Sequence, residues 1–374
     1  MGLSKYRLGD LIEQVTEINS NLQFGVNDVV GMTITKEIIP TKANLTGTDL
    51  SHFLVVKPHD FVFNPRTHGK KIGFGYNDSN NSYIVSWNNI AFKIKEFAKA
   101  IILSDYLFLN FRRDEWDREA CYQSWGTSTE VFTWEALCDM RITIPALSTQ
   151  QKYVAIYKAM VANQQSYERG LEDLKLGIDA QIDVIKHTAT KTPVVELLRE
   201  VNTRNSDGAI KNVQGINISK QFMPSVADTN GVDLTKYKVV QKGQFAFSGM
   251  QTGRDECIRI ALCDTEQPII ISPAYTVLEL KDQTILPEYI MLWFLRGESD
   301  RRGWFISDSS VRTNLDLERF WEIKIPIPEE KLRIAIAELY TVYNTRKKIN
   351  EQLKAQIKDI CPILIRGSLE ENGI

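Results

Sequence analysis

The sequence is poor in the residues that most often build metal and redox sites. Its 374 residues include 4 histidines and 5 cysteines, and the cysteines stand at positions 121, 138, 257, 263 and 361. No two of them form a CxxC pair. An odd number of scattered cysteines is typical of reduced thiols, and it argues against a disulfide framework or a zinc site. We therefore expect no metal ion in this chain.

Long hydrophobic runs are also missing. No stretch approaches the roughly 20 apolar residues that are needed to cross a bilayer, and residues 1–6 lack the apolar core of a signal peptide. The sequence predicts a cytoplasmic protein without membrane contact. The formal net charge is -2. With no global positive field, any contact with nucleic acid has to come from local basic patches.

The common catalytic motifs are absent as well. The sequence has no GxxxxGK[ST] loop, no GxGxxG, no HExxH and no GxSxG. Residues 64–67, NPRT, begin like the catalytic motif of amino-methyltransferases but lack its second proline and its aromatic residue. We predict that the chain has no catalytic and no cofactor-binding residues, and that it is a binding protein.

The chain contains two copies of one unit, related by an offset of about 184 residues. Several separate matches occur in the same order, which is the signature of an internal repeat. The matched segments are residues 8–12 with 194–198, 36 with 220, 55–63 with 239–247, 84–86 with 270–272, 106 with 289, and 141–145 with 322–326.

Each copy begins with short β-rich runs that are punctuated by Gly, Pro, Asn and Asp, which indicates a globular α+β domain. These runs are residues 54–63, 83–94, 237–247 and 269–280. A strand that ends in proline closes each domain, and a long helical pattern follows. We predict a first domain at residues 1–148, a first helix at 149–188, a second domain at 189–328, and a second helix with a C-terminal tail at 329–374.

Apolar residues recur every three or four positions in both helical stretches, the pattern of an amphipathic helix with a coiled-coil seam. Such a helix cannot bury its apolar stripe alone, so we expect the two helices to pair antiparallel as a spacer with approximate twofold symmetry. We expect Pro362 to stop the second helix. The residues predicted to pair the helices are Ile156, Met160, Leu174, Ile178, Ile185, Leu339, Tyr343, Leu353 and Ile357.

In its architecture and motifs the chain resembles the DNA-specificity subunit of type I restriction-modification enzymes. The resemblance covers the whole length and rests on the duplication, on the pattern Lys-x-Gly/His-Asp/Gln-Phe-x-Phe, and on the exit strand with a glutamine at the following helix start. The pattern occupies residues 57–63 and, less perfectly, 242–247. The exits are residues 142–151 and 323–331, and the second has Lys331 where glutamine is expected.

This resemblance implies that each globular domain is a target-recognition domain that reads one half of a bipartite, asymmetric site in double-stranded DNA. It implies that the helices are a spacer that docks two methyltransferase subunits, with a restriction and translocase subunit as a further partner. S-adenosylmethionine and ATP with magnesium would then belong to partner chains, and this chain would be a non-catalytic subunit for host defence and DNA methylation.

Two pairs of aligned segments are candidates for DNA contact: residues 64–71 with 248–255, and residues 125–129 with 306–310, which continue to residue 314 in the second copy. In residues 64–71 and 248–255, Gly69 matches Gly253 and Lys70 matches Arg254, which suggests a common turn and a phosphate contact. The residues around them differ, as two unlike half-sites require, because arginine suits guanine and amides suit adenine. The predicted DNA-binding residues are Asn64, Arg66, His68, Lys70, Lys71, Ser128, Thr129, Ser248, Gln251, Thr252, Arg254, Arg312 and Asn314.

Other interpretations remain open at this point. The same polar residues fit a solvated loop with no partner. A coiled-coil assembly or scaffold protein whose globular ends bind protein is the main alternative function, and an enzyme with an unrecognised site is another. Most tryptophans are expected in the core, namely Trp87, Trp116, Trp134, Trp293 and Trp321, whereas Trp304 is expected to be exposed.

Overall fold

The structure is a computed structural model that describes residues 3–66, 71–124, 130–227, 231–250, 252–308 and 313–373. The chain divides into two units. Unit 1 comprises Met1–Gln165 together with Glu351–Ile374, and unit 2 comprises Ser166–Asn350. In the described part of the chain, no helix is long and apolar enough to cross a membrane.

The described residues of unit 1 form ten short strands and four short α-helices, followed by the first long helix, whose later part belongs to unit 2. The strands are β1 (Ser4–Arg7), β2 (Ile12–Gln14), β3 (Val30–Met32), β4 (Ile38–Pro40), β5 (Leu54–Val56), β6 (Phe61–Phe63), β7 (Phe74–Tyr76), β8 (Tyr83–Val85), β9 (Ile90–Ile94) and β10 (Arg141–Ile144). The helices are α1 (Leu8–Leu11), α2 (Ser104–Phe111), α3 (Asp114–Gln123), α4 (Trp134–Asp139) and the long α5 (Leu147–Thr188).

The central sheet of unit 1 has the strand order β2-β9-β6-β7, and all its pairs are antiparallel. Strand β6 is apolar at every position because both of its faces are covered. Phe61 and Phe63 pack with the helices in an aromatic core in which the Phe61 and Phe92 rings stack at 5.0 Å. Val62 points to the other face, where it packs with valines of the small strands. The sequence pattern FVF thus marks the middle of the domain.

Unit 2 repeats this order of elements. Its strands are β11 (Thr190–Pro193), β12 (Leu198–Val201), β13 (Val213–Ile216), β14 (Phe222–Pro224), β15 (Lys238–Val240), β16 (Phe245–Ser248), β17 (Arg259–Leu262), β18 (Ile269–Ile271), β19 (Thr276–Leu280) and β20 (Lys324–Ile327). Its helices are α6 (Val194–Leu197), α7 (Thr252–Asp255), α8 (Pro287–Phe294), α9 (Gly297–Ile306), α10 (Leu317–Trp321) and the long α11 (Glu330–Gly373).

The two units share strand registers, which confirms the predicted duplication. The central sheet of unit 2 has the order β12-β19-β16-β17, equivalent to β2-β9-β6-β7 in unit 1. Val55 pairs with Ile84 in one unit, and Val239 pairs with Ile270 in the other, as the aligned sequences predict. The α+β class with a long helix after each domain is therefore confirmed.

The long helices pack against each other inside each unit. In unit 1, Val154 near the start of α5 shares a core with Cys361 and Ile365 near the end of α11. In unit 2, Ile178 and Ile185 in the later part of α5 share a core with residues in the early part of α11, namely Ile336 and Tyr340. The helices are thus antiparallel, as predicted.

The residues of the predicted seam are buried or half-buried, with one exception. Ile178 and Ile185 are buried, and the others except Ile156 are half-buried, namely Met160, Leu174, Leu339, Tyr343, Leu353 and Ile357. Ile156 is wrong as a pairing residue, since 40% of it is exposed. On a helix with 3.6 residues per turn it lies about 200° away from Val154, which faces the core.

The prediction that Pro362 ends the second long helix is also wrong. Helix α11 continues through Pro362 to Gly373. Proline inside a helix costs about 3 kcal/mol, because it removes a hydrogen bond and crowds the preceding turn. Burial offsets this cost: Cys361, Ile365 and Ser368 are all buried, and the Ser368 hydroxyl lies 2.7 Å from the Tyr106 hydroxyl.

The glutamine at the first helix start has a structural function. Gln150 is fully buried, and its amide nitrogen donates to the carbonyls of Ile101 and Pro145 at 2.8 and 2.9 Å. Its amide oxygen accepts from the Leu103 N–H at 2.9 Å. Lys331, at the same position of the second copy, is exposed. The second helix start therefore lacks this anchor.

Candidate nucleic-acid interface

In unit 1, the first segment predicted to contact DNA lies beside residues 131 and 132, which follow the second predicted segment; residues 125–129 of that segment lie outside the described residues. The backbone carbonyl of Pro65 accepts a hydrogen bond from the Phe132 N–H at 2.8 Å, and Arg66 forms an isolated β-bridge with Val131. The loop after strand β6 is thus joined to the residues that precede helix α4. Two described parts of the chain that are distant in sequence, residues 64–66 and 130–132, thus meet in unit 1.

Unit 2 makes the same connection. The Gly249 carbonyl accepts from the Leu315 N–H at 2.8 Å, and the Gly253 N–H donates to the Thr313 carbonyl at 2.9 Å. This approach requires glycine, because a Cβ on Gly249 would lie 1.7 Å from the Leu315 carbonyl oxygen, and one on Gly253 would lie 2.5 Å from the Thr313 Cβ.

The paired segments occupy equivalent places in the two copies. Pro65 aligns with Gly249, and each is bonded to a buried residue, Phe132 or Leu315, which immediately precedes a helix cap. The caps are Thr133 and Asp316, whose side chains accept from the first turns of α4 and α10. One backbone framework therefore carries different side chains in each unit. We call these regions the framework loops. The framework loop of unit 1 comprises residues 64–66, 71 and 130–132. The framework loop of unit 2 comprises residues 248–250, 252–254 and 313–315.

The structure describes seven of the thirteen predicted DNA-binding residues. Arg66, Lys71 and Arg254 are exposed, Asn64 and Asn314 are half-buried, and Ser248 and Thr252 are buried. The other six lie outside the described residues, namely His68, Lys70, Ser128, Thr129, Gln251 and Arg312.

Two of the exposed cations have different surroundings. Arg66 follows Asn64, whose side-chain oxygen accepts from the Arg66 N–H at 2.9 Å and so shapes the turn. Lys71 donates to Asp114 at 2.9 Å, and this contact raises the pKa of the lysine. An exposed ion pair of this kind is worth less than about 1 kcal/mol, so Lys71 can exchange Asp114 for a phosphate at little cost.

Two predicted residues do not suit direct contact with DNA. Thr252 has no exposed surface, and its hydroxyl donates to the Gly249 carbonyl at 3.0 Å. Ser248 is buried in strand β16, and its hydroxyl accepts from the Met250 N–H. Both side chains stabilise the framework loop of unit 2 in this conformation, and the structure corrects the prediction that they read bases.

A buried ion pair that the sequence-based site prediction missed supports unit 1. Lys36 donates to Asp117 at 2.5 Å, and the two side chains are only 4% and 6% exposed. The lysine nitrogen also lies 5.0 Å from the centre of the Trp116 ring. Burial lowers the pKa of Lys36 and raises the pKa of Asp117. The turn between strands β3 and β4 is thus joined to helix α3 by two desolvated charges.

Unit 2 has the same pair at the aligned positions. Lys220 contacts Asp300 at 2.6 Å, and it also donates to the Phe294 carbonyl. Asp300 in turn accepts from the Ile258 N–H at 2.9 Å, four residues after the framework loop. Both lysines adopt a positive φ, 69° and 60°. The alignment of the two copies matches Lys36 with Lys220, and this match was the feature of the sequence that could have revealed the buried ion pairs.

Helix α9 presents a second basic and aromatic surface in unit 2. Arg301 and Arg302 are exposed, and Trp304 and Phe305 are 53% and 79% exposed. The helix lies close to the residues after the framework loop, because a Cβ on Gly303 would meet the Ile258 side chain at 2.3 Å. The prediction that Trp304 is exposed is confirmed. Trp87 was predicted to lie in the core, but 71% of it is exposed.

The Lys-x-Gly/His-Asp/Gln-Phe pattern is a turn before the central strand. His59 and Gly243 both adopt a positive φ there, 70° and 83°. The next side chain accepts from the backbone at the start of the turn, Asp60 from Lys57 N–H and Gln244 from Gln241 N–H, each at 2.8 Å. Asp60 is buried, and burial raises its pKa to about 6.

This pKa predicts a pH-dependent stability for unit 1. A carboxyl whose pKa is higher in the folded protein binds protons more tightly there, so its contribution to stability is present at low pH and is lost as pH rises through about 4 to 6. Replacing Asp60 with asparagine should remove this loss. We expect the difference in unfolding free energy, variant minus wild type, to rise by about 1 to 2 kcal/mol between pH 4 and pH 7 in urea titrations.

The control for this experiment is Asp49→Asn. Asp49 is exposed, and the hydrogen bond that its carboxylate accepts from the Ser51 N–H lowers its pKa. Its contribution to stability has the opposite sign, since it is present above the unfolded pKa and is lost at lower pH. If the difference in unfolding free energy between Asp60→Asn and the wild type stays constant with pH, Asp60 is not a buried carboxyl with a raised pKa.

The fold is similar to that of solved structures from type I restriction-modification systems. The S subunit from M. genitalium aligns with 100% of this chain and 96% of its own, at 12% sequence identity and a TM-score of 0.57. The HsdS subunit from Thermoanaerobacter tengcongensis aligns at 13% identity over 99% and 97% of the two chains, with a TM-score of 0.42.

A chain from a structure on complex assembly and conformational transition of the type I R-M system aligns at 15% identity over 98% of both chains, with a TM-score of 0.45. No protein-family model and no curated protein sequence matches this chain. The comparison with the M. genitalium S subunit shows that the two chains share a fold over their whole lengths.

Proposed function

We propose that this chain is the DNA-specificity subunit of a type I restriction-modification complex, and that each unit reads one half of a bipartite, asymmetric DNA site. The observation that carries the proposal is the framework loop. The same backbone bonds occur at aligned positions of both units, Pro65 with Phe132 and Gly249 with Leu315. The shared fold of the M. genitalium S subunit supports the same function.

The chemistry of the loops suits two unlike half-sites. Side chains in grooves read bases, whereas cations at fixed positions bind phosphates and set the register. Asn64 and Arg66 in unit 1 are an amide and a guanidinium, which match the edges of adenine and guanine. Arg254 in unit 2 is exposed on α7, and Arg301, Arg302 and Trp304 present further cationic and aromatic surface beside it.

The chemical reactions of the complex are assigned to other subunits in this proposal. Two methyltransferase subunits would bind S-adenosylmethionine, and a restriction and translocase subunit would bind ATP with magnesium. Large apolar side chains exposed on the long helices suit such subunit contacts, because covering them in an interface removes apolar surface from water. They are Ile156, Leu176, Val184, Ile334, Val342 and Ile363, exposed by 40% to 72%.

The first test is the pattern of DNA methylation in a host that carries a compatible methyltransferase subunit, with and without this chain. We expect a new methylated motif with two specific halves and a gap of constant length. A chain that forms a stable complex with the methyltransferase and yet produces no new motif would favour the assembly and scaffold function instead.

Single arginine variants should separate the two half-sites. Arg66→Ala is expected to relax the sequence requirement at a position of one half-site, because each good base contact contributes about 1 to 3 kcal/mol, a factor of roughly 5 to 150 in affinity. Arg254 is expected to bind a phosphate in the other half-site. Arg254→Ala should therefore weaken binding to all sequences and reduce the slope of log affinity against log salt concentration by about one. Both are measured with the assembled complex on a library of binding sites.

The matched control is Arg366→Ala. Arg366 is 81% exposed and pairs with Glu370 in helix α11, outside both framework loops. We expect its loss to leave both half-sites unchanged. If Arg66→Ala, Arg254→Ala and Arg366→Ala all leave sequence preference and salt dependence as in the wild type, the framework loops are not the DNA-reading surface.

A further inference from the structure

Unit 2 contains a cavity of about 510 Å³ that the DNA-reading function does not use. Strands β13, β14 and β18 line it on one side, and residues of α5, α8 and α11 line it on the other, all of them within unit 2. Small-molecule sites typically have volumes of roughly 300 to 1,000 Å³. The space is thus large enough for an organic ligand of moderate size.

The cavity arises where unit 2 has smaller side chains than unit 1. In unit 1, Tyr76 pairs in register with Phe61, and its ring stacks on the Phe61 ring at 4.8 Å and lies tilted against the Phe108 ring at 5.0 Å. In unit 2 the same register pairs Phe245 with Leu262, which lines the cavity. A tyrosine ring is therefore replaced by a shorter aliphatic side chain.

A second replacement enlarges the same space. Arg112 follows the last residue of α2, and its guanidinium lies 5.5 Å from the Phe108 ring and 5.6 Å from the Tyr157 ring. Leu295 stands at the same place after α8, and it lines the cavity. Two differences between the copies, both toward smaller residues, thus converge on one site.

The lining combines aromatic rings with side-chain amides. Phe222, Tyr340 and Tyr343 provide rings, and burial raises the pKa of Tyr340 to about 12, so its hydroxyl stays a donor at neutral pH. The amides are Asn212, Gln214, Gln221 and Asn344. Rings stack on planar heterocycles, and amides form hydrogen bonds with the edges of nucleobases.

The cavity offers an exposed cation to the anionic group of a ligand. Five cationic side chains line the cavity, against three carboxylates, but three of the cations are already paired. Lys220 is bound to Asp300 and Lys348 to Asp264, each at 2.6 Å, and Arg296 is bound to Asp179, Asp183 and Glu298. Lys175 on α5 is exposed and adds a positive charge at the edge of the site.

We propose that this cavity binds a mononucleotide, with its base among the aromatic and amide side chains and its phosphate toward Lys175. The inference rests on the residues of unit 2 and is independent of the DNA-reading function. It assigns to one copy of the repeat a ligand site that the other copy has filled with Tyr76 and Arg112.

The test is isothermal titration of the full chain with AMP, GMP, CMP and UMP, with the corresponding nucleosides and with inorganic phosphate. We expect at least one mononucleotide to bind, its nucleoside to bind more weakly, and phosphate alone not to bind. At ten times the dissociation constant, the bound nucleotide should raise the melting temperature by roughly 3 to 6 °C.

Unit 1 supplies the design of the decisive variant. Leu262→Tyr combined with Leu295→Arg places the unit 1 side chains in the unit 2 cavity, and it should weaken nucleotide binding by about tenfold or more. Lys175→Glu, at an exposed position, should weaken the mononucleotide by roughly two- to fivefold and leave the nucleoside unaffected. Circular dichroism checks that both variants are folded.

Two results would overturn the proposal. One is that none of the four mononucleotides binds to the wild-type chain. The other is that a bound mononucleotide keeps its affinity both in the folded double variant and in Lys175→Glu, which would place the binding elsewhere. If the double variant does not fold, Lys175→Glu decides by whether it separates the nucleotide from its nucleoside.

Discussion

Replacing Lys36 with methionine is expected to lower the free energy of unfolding by about 3 to 5 kcal/mol, because removal of one partner leaves a buried charge unpaired. The partner is Asp117, which is 6% exposed and already has a raised pKa. In the variant, that pKa should rise further. A carboxyl of this kind destabilises the folded state most when it is ionised, so the loss should grow as pH rises from about 4 to 8.

The double variant Lys36→Met with Asp117→Leu should recover most of the lost stability, since an apolar pair can replace a buried ion pair at little or no cost. The control is Lys242→Met, which breaks an exposed pair with Glu266 and should leave the free energy of unfolding nearly unchanged, because solvent screens this pair. Urea unfolding of the four proteins gives the comparison. If Lys36→Met is no more harmful than Lys242→Met, the buried pair does not hold unit 1 together.

The substitution Gly249→Ala is expected to destabilise unit 2 by about 3 kcal/mol, because a Cβ there would lie 1.7 Å from the Leu315 carbonyl oxygen. Main-chain atoms cannot move aside as a flexible side chain can. The two segments of the framework loop must therefore move apart, which breaks the hydrogen bond from the Leu315 N–H to the Gly249 carbonyl. Faster hydrogen exchange at the Leu315 amide should accompany the loss of stability.

Gly177→Ala is the matched control for this prediction. Gly177 lies inside helix α5, and a Cβ there would have no heavy atom within 4 Å. Alanine is the better helix former, so the variant should be more stable by roughly 0.5 to 1 kcal/mol. Equal stability of the two variants, with unchanged exchange at Leu315, would contradict the close packing of the framework loop.

The duplicated architecture was predictable from the sequence because each structural motif occurs in both copies. An FxF strand core, an Ile-Pro exit and a helical apolar stripe each occur in both copies, and the structure pairs Val55 with Ile84 and Val239 with Ile270 in the same register. The end of the second helix was not predictable from Pro362 alone. Burial of Ser368 and its neighbours in unit 1 outweighs the local cost of proline, and burial is a property of the tertiary structure.

The candidate site was predictable in position but not in detail. Residues 65 and 66 meet residues 131 and 132, and Gly249 and Gly253 meet Leu315 and Thr313, yet no sequence pattern shows that these segments meet. Thr252 looks like a DNA-contacting residue in the sequence because it is polar and in a loop, whereas its hydroxyl stabilises the turn. Lys36 and Asp117 are 81 residues apart, so their pairing emerges only in the folded chain.

The discontinuity of unit 1 has a consequence for synthesis on the ribosome. The core of this unit includes Cys361 and Ile365, and Tyr106 lies beside Ser368, 262 residues later in the chain. Unit 2 comprises the single stretch Ser166–Asn350. Translation therefore supplies all the residues of unit 2 before the last residues of unit 1. Unit 1 therefore cannot complete its core until its C-terminal residues are synthesised, and part of its apolar surface stays exposed until then. Nascent chains depend on protection from aggregation during that interval.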